Sequence, residues 1–392
     1  MKIKVLNLTI FLLLIIGCGG KRQADNESFI TIDVTANYPT KELILQDFMD
    51  VEYVLLETSD DFICEGFLLA VGKEIIILRN WIDDGDIFIF NRNGKGLRKI
   101  NRKGQGGGDY LHPTKIVLDE NNEEIFILDY ISKKVVVYDL YGQFKRRLNN
   151  DNPRYTDMFH YFDDTDFFIS YDHSMDHVHI KAKESYHAII SKSDRSIIRN
   201  INIPYKEVKA TAAYLLEGET IWSERFNYNA IIPHKNNFIL SLPASDTAYT
   251  YFPDHSLLPF MVRTPSIQTM DPEVFLFPQI LTDNYYFFHK VIKHKWESVS
   301  PSPFQRSQLV YDRKEKSIYK CTVYNDDFAN KKTVDLSQQE LVGNDIAFWG
   351  IYGAEVLVES YKNGDLKGRL KEIAATLDAE DNPVIMLVKH KQ

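Results

Sequence analysis

At 392 residues, with 44% hydrophobic and 13% aromatic content, the chain can bury one large core or two ordinary ones and is too apolar to be disordered. Its formal net charge of −9, from 46 basic and 55 acidic residues, gives no electrostatic footprint for nucleic acid. Aromatic and β-branched residues favour strands over helices.

The chain opens on MKIKVLNLTIFLLLIIGCGGKR, where Lys2 and Lys4 precede an apolar run from Leu8 to Ile16 broken only by Thr9. That run is too short to span a bilayer and has the shape of a signal-peptide core. It ends in Ile15-Ile16-Gly17-Cys18, which resembles the bacterial lipobox. The resemblance implies that Cys18 becomes the lipid-modified first residue of the mature protein. The expected organisation is a signal peptide over 1–17, a lipidated Cys18 and polar tether over 18–28, and one folded domain over 29–392. Cleavage removes two lysines and no acids, so 44 basic and 55 acidic residues remain, a net charge of −11. Gly19 is not the Asp that retains some lipoproteins at the inner membrane, so outer-membrane attachment through Cys18 is expected, with either face open. Cys64 and Cys321 are then the remaining cysteines, far apart and in unlike contexts, and are read as buried free thiols.

KGQGGGDYLHP, over 103–113, has the glycine content of a phosphate loop. A P-loop, however, needs Lys and a hydroxyl residue after its last glycine, and a dinucleotide fingerprint needs a following helix. Here Asp109 and Tyr110 follow, and then a strand pattern from Pro113. That pattern, PTKIVLDENNEEIFILDYISKKVVVYDLYGQFKRRL, splits into Lys115–Asp119, Glu124–Asp129, Lys134–Leu140 and Gln143–Leu148, with turn residues between the pieces. Four short strands in about 40 residues make an antiparallel meander, one blade of a propeller.

A glycine-rich lead, a proline-led strand, then IFILD, KKVVVYD and YGQF resemble an NHL-type repeat. Chain length, the lipobox and the C-terminal LKEIAATLDAEDNPVIMLVKHK further resemble a family of bacterial six-bladed β-propeller lipoproteins. The resemblance implies an all-β fold of six four-stranded antiparallel blades, with the ring closed by strands from both chain ends. It also makes the glycine-rich segment the crossing between two blades, where glycines permit positive φ.

Second-strand elements similar to IFILD fall at Ile75–Arg79, Ile125–Asp129, Phe167–Tyr171, Asn237–Ser241, Tyr285–His289 and Glu355–Glu359. Their last residues are 50, 42, 70, 48 and 70 positions apart, which reads as six units with irregular insertions. A β-sandwich with unrelated apolar runs is the alternative. Third and fourth strands recur over 87–100, 135–148, 187–201 and 308–321. Segments 29–58 and 345–389 are expected to share the sixth blade, with a late strand at Ile385–Val388. Leu366–Leu377 and Lys206–Leu216 read as helices.

In such repeats the end of each second strand lies near one mouth of the channel. The six-fold alignment therefore names a candidate ring of Arg79, Asp129, Tyr171, Ser241, His289 and Glu359 for a polar ligand. Strand ends are polar in any case, so turn solvation competes with this reading. DHSMDHVH, over 172–179, offers His173, His177 and His179, with Asp172 beside them. His177 and His179 would share one face of a strand. There is no H-E-x-x-H and no cysteine pair, the segment reads as an exposed turn, and no metal is assigned to it. No G-x-S-x-G nucleophile elbow appears. The acid pairs Asp60-Asp61, Asp83-Asp84, Asp163-Asp164 and Asp326-Asp327 sit at turns. Trp81, Trp222, Trp296 and Trp349 are expected to be buried between blades, with stacking on a sugar as the other use.

The expected function is a non-catalytic envelope lipoprotein that binds a protein, peptide or glycan partner, without a cofactor and without nucleic acid. The alternative, taken from the resemblance to NHL-like lyases and lactonases, is a metal-dependent hydrolase or lyase with its site in the channel. A purely structural subunit of an outer-membrane complex is the third reading.

Overall fold

The computed structural model describes residues 29–391, apart from 81–83, 130, 131, 133, 150–157, 171–186 and 337–344. Short apolar strands pair with their neighbours in sequence, and the resulting meanders form six blades. Blade one holds Phe67–Val71, Ile75–Arg79, Asp86–Asn91 and Gly96–Asn101. Blade two holds Pro113–Asp119, Glu124–Asp129, Lys134–Asp139 and Phe144–Asn149, and blade three Met158–Tyr161, Asp166–Ser170, His187–Ser191 and Ile197–Ile201. Blade four runs from Ile231–His234 through Asn237–Leu240 and Thr247–Tyr251 to Leu257–Thr264. Blade five uses longer strands, Glu273–Leu281, Tyr285–Lys293, Phe304–Asp312 and Ser317–Tyr324.

The strands read as continuous apolar runs because both faces of each blade are buried. Ile75 and Ile77 pack with Ile125, Ile127 and Val136 of blade two. The intervening Ile76 and Leu78 pack with Ile385, Leu387 and Val54 of blade six. Blade two repeats the arrangement, with Phe126 and Leu128 turned to Phe167 and Ile169 of blade three. Successive side chains on a strand point to opposite faces, so each residue contributes to one of two interblade cores. Full burial of each such side chain is worth about 1.5–3 kcal/mol.

Blade six is assembled from both chain ends. Val384–His390 pairs antiparallel with Ile346–Tyr352 on one side and with Met49–Leu55 on the other, with Ile385 opposite Val54. The rest of the N-terminal segment does not join blade six as expected. Ile30–Asp33 adds to the outer strand of blade four in parallel, with Ile30 opposite Met261. Thr40–Ile44 adds to that of blade five in the same way, with Thr40 opposite Lys320. The chain thus runs round the rim and covers two outer edges whose unpaired backbone groups would otherwise face water.

Two local readings are corrected. Glu355–Glu359 is not a strand: it lies in the helix Ala354–Lys362, which buries Ala354 and Leu357 three residues apart on one face. The second strand of blade six is Val384–His390 instead. Lys206–Leu216 is not helical; Ala212–Glu217 is a strand that pairs with Thr220–Arg225 across a turn where Gly218 has φ of +61°. The expected C-terminal helix is present as Gly368–Ala374. Cys64 and Cys321 are free and buried.

The glycine-rich segment is the crossing from blade one to blade two, but Gly104, Gly106, Gly107 and Gly108 do not use positive φ; hydrogen bonds to its backbone hold it instead. Gly104 N donates to Tyr110 O at 3.0 Å, Gly106 N to Asp109 Oδ2 at 2.8 Å, and Lys134 Nζ to Gly106 O at 3.3 Å. Tyr110, fully buried, donates its hydroxyl to Gly85 O at 2.7 Å.

Ring closure also passes through a turn of blade one. Gly94 sits at φ +81°, its carbonyl accepts from Glu57 N at 2.8 Å, and a Cβ there would run into the Leu55 carbonyl oxygen. Gly94→Ala is expected to cost about 2–3 kcal/mol in denaturant unfolding. Gly107→Ala, at a site with nothing within 4 Å of the added carbon, should stay within about 0.5 kcal/mol of the parent. Equal effects at the two positions would contradict this account of closure.

Candidate functional site

First strands leave the interblade crossings and second strands return to them. Crossings, first-strand starts and second-strand ends therefore share one face of the disc, here the upper face. Three of the six ring candidates, Asp129, Arg79 and Ser241, fall at this face, and each is held by local structure. Asp129, fully buried at the end of its strand, accepts from Leu111 N at 2.7 Å, His112 N at 3.2 Å and Ser132 N at 3.3 Å, and from the Ser132 hydroxyl. Burial alone would raise its pKa; the donors from Ser132, Leu111 and His112 outweigh that and hold the carboxyl below its ordinary value. Asp129 is thus the clamp that fixes the crossing into blade two. Arg79 lies over the Phe67 ring, 4.3 Å from its centroid, and donates to Asn80 O at 2.8 Å. Ser241 is buried, and its hydroxyl donates to Asn229 O at 3.2 Å.

His289 and Glu359 do not complete a ring. The second strand of blade five continues to Lys293, so His289 falls in mid-strand, opposite Phe277 and Gln308, and is 1% exposed. Glu359 is exposed on the helix described above. Tyr171, the metal candidates His173, His177 and His179, and the lipidation candidate Cys18 lie outside the described residues. Among the described residues no three His, Cys, Asp or Glu side chains converge as a metal centre.

Two features were not identified from the sequence. The first is the burial of histidines, of which His160 and His187 were not singled out at all and His289 was expected at a channel mouth. His187 stands opposite Ser170 across blade three and is fully buried, and among the described residues no partner meets its ring nitrogens or the Ser170 hydroxyl in full hydrogen-bond geometry. Burial pushes the His187 pKa down to about 3, offset only slightly by the Ser241 backbone. His160, from the innermost strand of the same blade, is pushed well below its ordinary value by burial and by the nearby Lys115 and His187. Burial likewise lowers His289 to about 4, against a small opposing effect of Asp335. The signal was present in HAIIS, where a lone His begins an otherwise apolar strand.

The second is the hairpin Ala212–Arg225. It is inserted in the crossing from blade three to blade four and so rises from the upper face. Its base is fixed: Ala213 packs with Phe226, Phe275, Val291 and Phe304, and Glu224 accepts from the Ser302 hydroxyl at 2.6 Å. Its far end is open, with Leu216 70% and Ile221 71% exposed directly opposite each other on one face. Trp222, expected to be buried, is 42% exposed, whereas Trp349 packs against the core between blades six and one and Trp296 against the cluster at the hairpin base. Trp81 lies outside the described residues.

Residues 21–344 match the family described as 6-bladed beta-propeller, DUF5128. The chain belongs to this family. The propeller is also similar to a Bacteroides fragilis protein assigned as exported, at 15% identity and a TM-score of 0.60, over 93% of this chain and all of that one. A member of the DUF4221 family from Bacteroides vulgatus aligns at 11% identity and a TM-score of 0.45, over 88% of this chain and all of that one. No curated protein matches the propeller.

Asp129→Ala should destabilise the propeller by about 2–4 kcal/mol, because it leaves buried amide donors unpaired. Denaturant unfolding of the variant checks this, and a neutral result would remove Asp129 from the crossing. The buried histidines give a pH dependence of defined sign. Their folded pKa values lie below the unfolded value near 6.5, so the unfolded chain takes up protons first as pH falls. Stability should drop from about pH 6.5 towards pH 4 by up to about 1.4 kcal/mol per pH unit for each histidine. His187→Leu and His289→Leu should each flatten the melting temperature between pH 7 and pH 5 relative to the parent. An unchanged slope would show that these rings titrate normally.

Proposed function

We propose that the propeller is a non-catalytic binding module of the cell envelope, anchored to the outer membrane through lipid on Cys18, and that its upper face receives a protein, peptide or glycan partner. The observation that carries this reading is the hairpin Ala212–Arg225, which is rigidly based on blade five yet presents Leu216, Ile221 and Trp222 to solvent. A folded chain has little reason to raise large apolar side chains on a projecting arm unless another surface covers them. The frame suits the task, since loops set on rigid blades hold a binding surface in fixed geometry. The buried Asp129 and Ser241 fit the same reading, because both spend their polar atoms on holding crossings in place.

The anchor fits as well. Ile30–Asp33 runs parallel to the outer strand of blade four, which itself runs towards the upper face. The chain therefore reaches Ile30 from the opposite side of the disc. A lipid at Cys18, on a tether of about ten residues, leaves the hairpin facing away from the membrane. The likeness to an exported Bacteroides protein supports an envelope location.

Two measurements in cells test the reading. Cys18→Ser should move the protein from the membrane to the soluble fraction and abolish labelling by a fatty-acid analogue. A photo-crosslinking residue at position 222 should give discrete adducts, while one at position 316, on a lower turn, should not. Equal crosslinking at both positions, or none at either, would count against an upper-face binding module.

A further inference from the structure

We infer that the hairpin Ala212–Arg225 is a strand-docking arm: it accepts an extended segment of another protein, in which apolar residues alternate with lysine or arginine, as a third strand. This rests on the proposed upper-face binding role and specifies its partner.

Three observations lead to this partner. The hairpin forms a sheet of two strands, with no third strand among the described residues. Beyond the buried base at Ala212 and Ala213, the exposed part of the hairpin over 216–223 therefore carries edge backbone donors and acceptors that an added strand can pair. A two-stranded sheet is marginal in water, so a third strand also completes an unfinished element. The fold already shows strand addition on this chain: Ile30–Asp33 and Thr40–Ile44 are extended segments laid on the outer edges of blades four and five.

The side chains set the chemistry. Leu216 and Ile221 face each other across the strands, with Tyr214 two residues back from Leu216 on the same face. An extended segment with apolar residues at alternate positions would continue that face. The turn is acidic: Glu217 and Glu219 flank Gly218, both are exposed, and neither has an ion-pair partner among the described residues. Glu217 pairs across the strands with Thr220, on the face opposite Leu216. The other alternate positions of the incoming strand therefore meet negative charge, and Lys or Arg suits them. The same two glutamates disfavour an anionic membrane surface. They also disfavour a second hairpin packed turn to turn, since like charges would meet.

The test uses the chain from Gly19 onward, which keeps every described residue. The probe is a fluorescently labelled, end-blocked peptide of about ten residues that alternates valine and lysine. Comparison peptides alternate valine with glutamate and serine with lysine. Binding is read by anisotropy, and the edge by amide hydrogen exchange across 212–225. The valine–lysine peptide should bind at least about tenfold more tightly than either comparison and protect amides along one hairpin strand. Leu216→Ser with Ile221→Ser should lose that binding. Glu217→Lys with Glu219→Lys should transfer preference to the valine–glutamate peptide. Unchanged melting temperatures show that both double variants fold, as expected for substitutions at exposed positions.

The inference fails if the valine–lysine peptide does not bind, if serine–lysine binds equally well, or if neither double variant alters binding. It fails in favour of self-association if the parent chain sediments as a dimer that the Leu216/Ile221 variant dissolves. It fails in favour of a membrane if the parent floats with phosphatidylglycerol vesicles and that variant does not. Adducts at position 222 in cells without peptide binding would leave the binding module standing and remove only the strand chemistry. Loss of both results would remove both.

Discussion

The propeller depends on one constraint: each blade must be apolar on both faces, because each face is the core of a different interface. Ile75 and Ile77 look to blade two, and Ile76 and Leu78 look to blade six, within a single run of four residues. A sheet with one wet face would alternate apolar and polar residues; these sheets cannot. The ring then transmits the constraint. A blade that loses one face exposes the facing surface of its neighbour, so the six cores stand or fall together. Closure is where this matters most, and it is correspondingly heavily tied. Val384–His390 is hydrogen-bonded to strands from both chain ends, the Gly94 turn grips Glu57, and Asn382 clasps the segment between them. Asn382 Oδ1 accepts from Cys64 N at 2.7 Å, and its amide nitrogen donates to the carbonyl oxygens of Glu57 and Phe62 at 2.7 and 2.6 Å.

That constraint also explains what could be read from the sequence. Runs such as IIIL, EIFILD and NFIL announce second strands whatever lies between them, because both faces demand apolar residues. Most second strands were legible for this reason, while the six-bladed count, the glycine-rich crossing and closure by both chain ends followed from the resemblance to a propeller family. AEVLVES failed because its apolar residues satisfy a two-residue period as well as a helical one, and only the segment's place between two strands of blade six decides the matter. The rim strands were invisible for a different reason. FITIDV reads as a strand, but which edge a strand covers is set by parallel pairing with Leu257–Thr264, more than 200 residues away, and no local pattern encodes that.

The candidate ring was less legible, because the end of a second strand is a place for polar residues with two incompatible uses. Asp129 shows one use in full: a buried carboxylate surrounded by backbone donors, satisfied by the crossing it secures. His289 shows how the alignment slips when one blade grows. Nine-residue strands carry the true end of the second strand four residues further on, to Lys293, and leave His289 between Phe277 and Gln308. The apolar hairpin was missed because a helical reading of Lys206–Leu216 took in most of its first strand and stopped short of the turn at Gly218, whose φ of +61° lets Thr220–Arg225 fold back on that strand.

Blade five was lengthened at one end only, and this links the site to the frame. Its extra residues rise on the upper face, where Val291 and Phe304 meet Ala213 and Phe226. Without that extension the hairpin would stand on a loop; with it, the arm stands on a sheet. The same long strands explain why the Lys293 ammonium reaches the Ala210 carbonyl at 3.0 Å and why Arg306 lies 3.6 Å from Glu224. These contacts lie at the base, so the base is positioned by the propeller, while among the described residues Leu216 and Ile221 at the far end stay exposed. A loop insertion tolerated by chance would need no such footing. The coincidence of an elongated blade, a clamped base and exposed apolar residues at the far end makes the hairpin a positioned surface, and the proposed binding role rests on that footing.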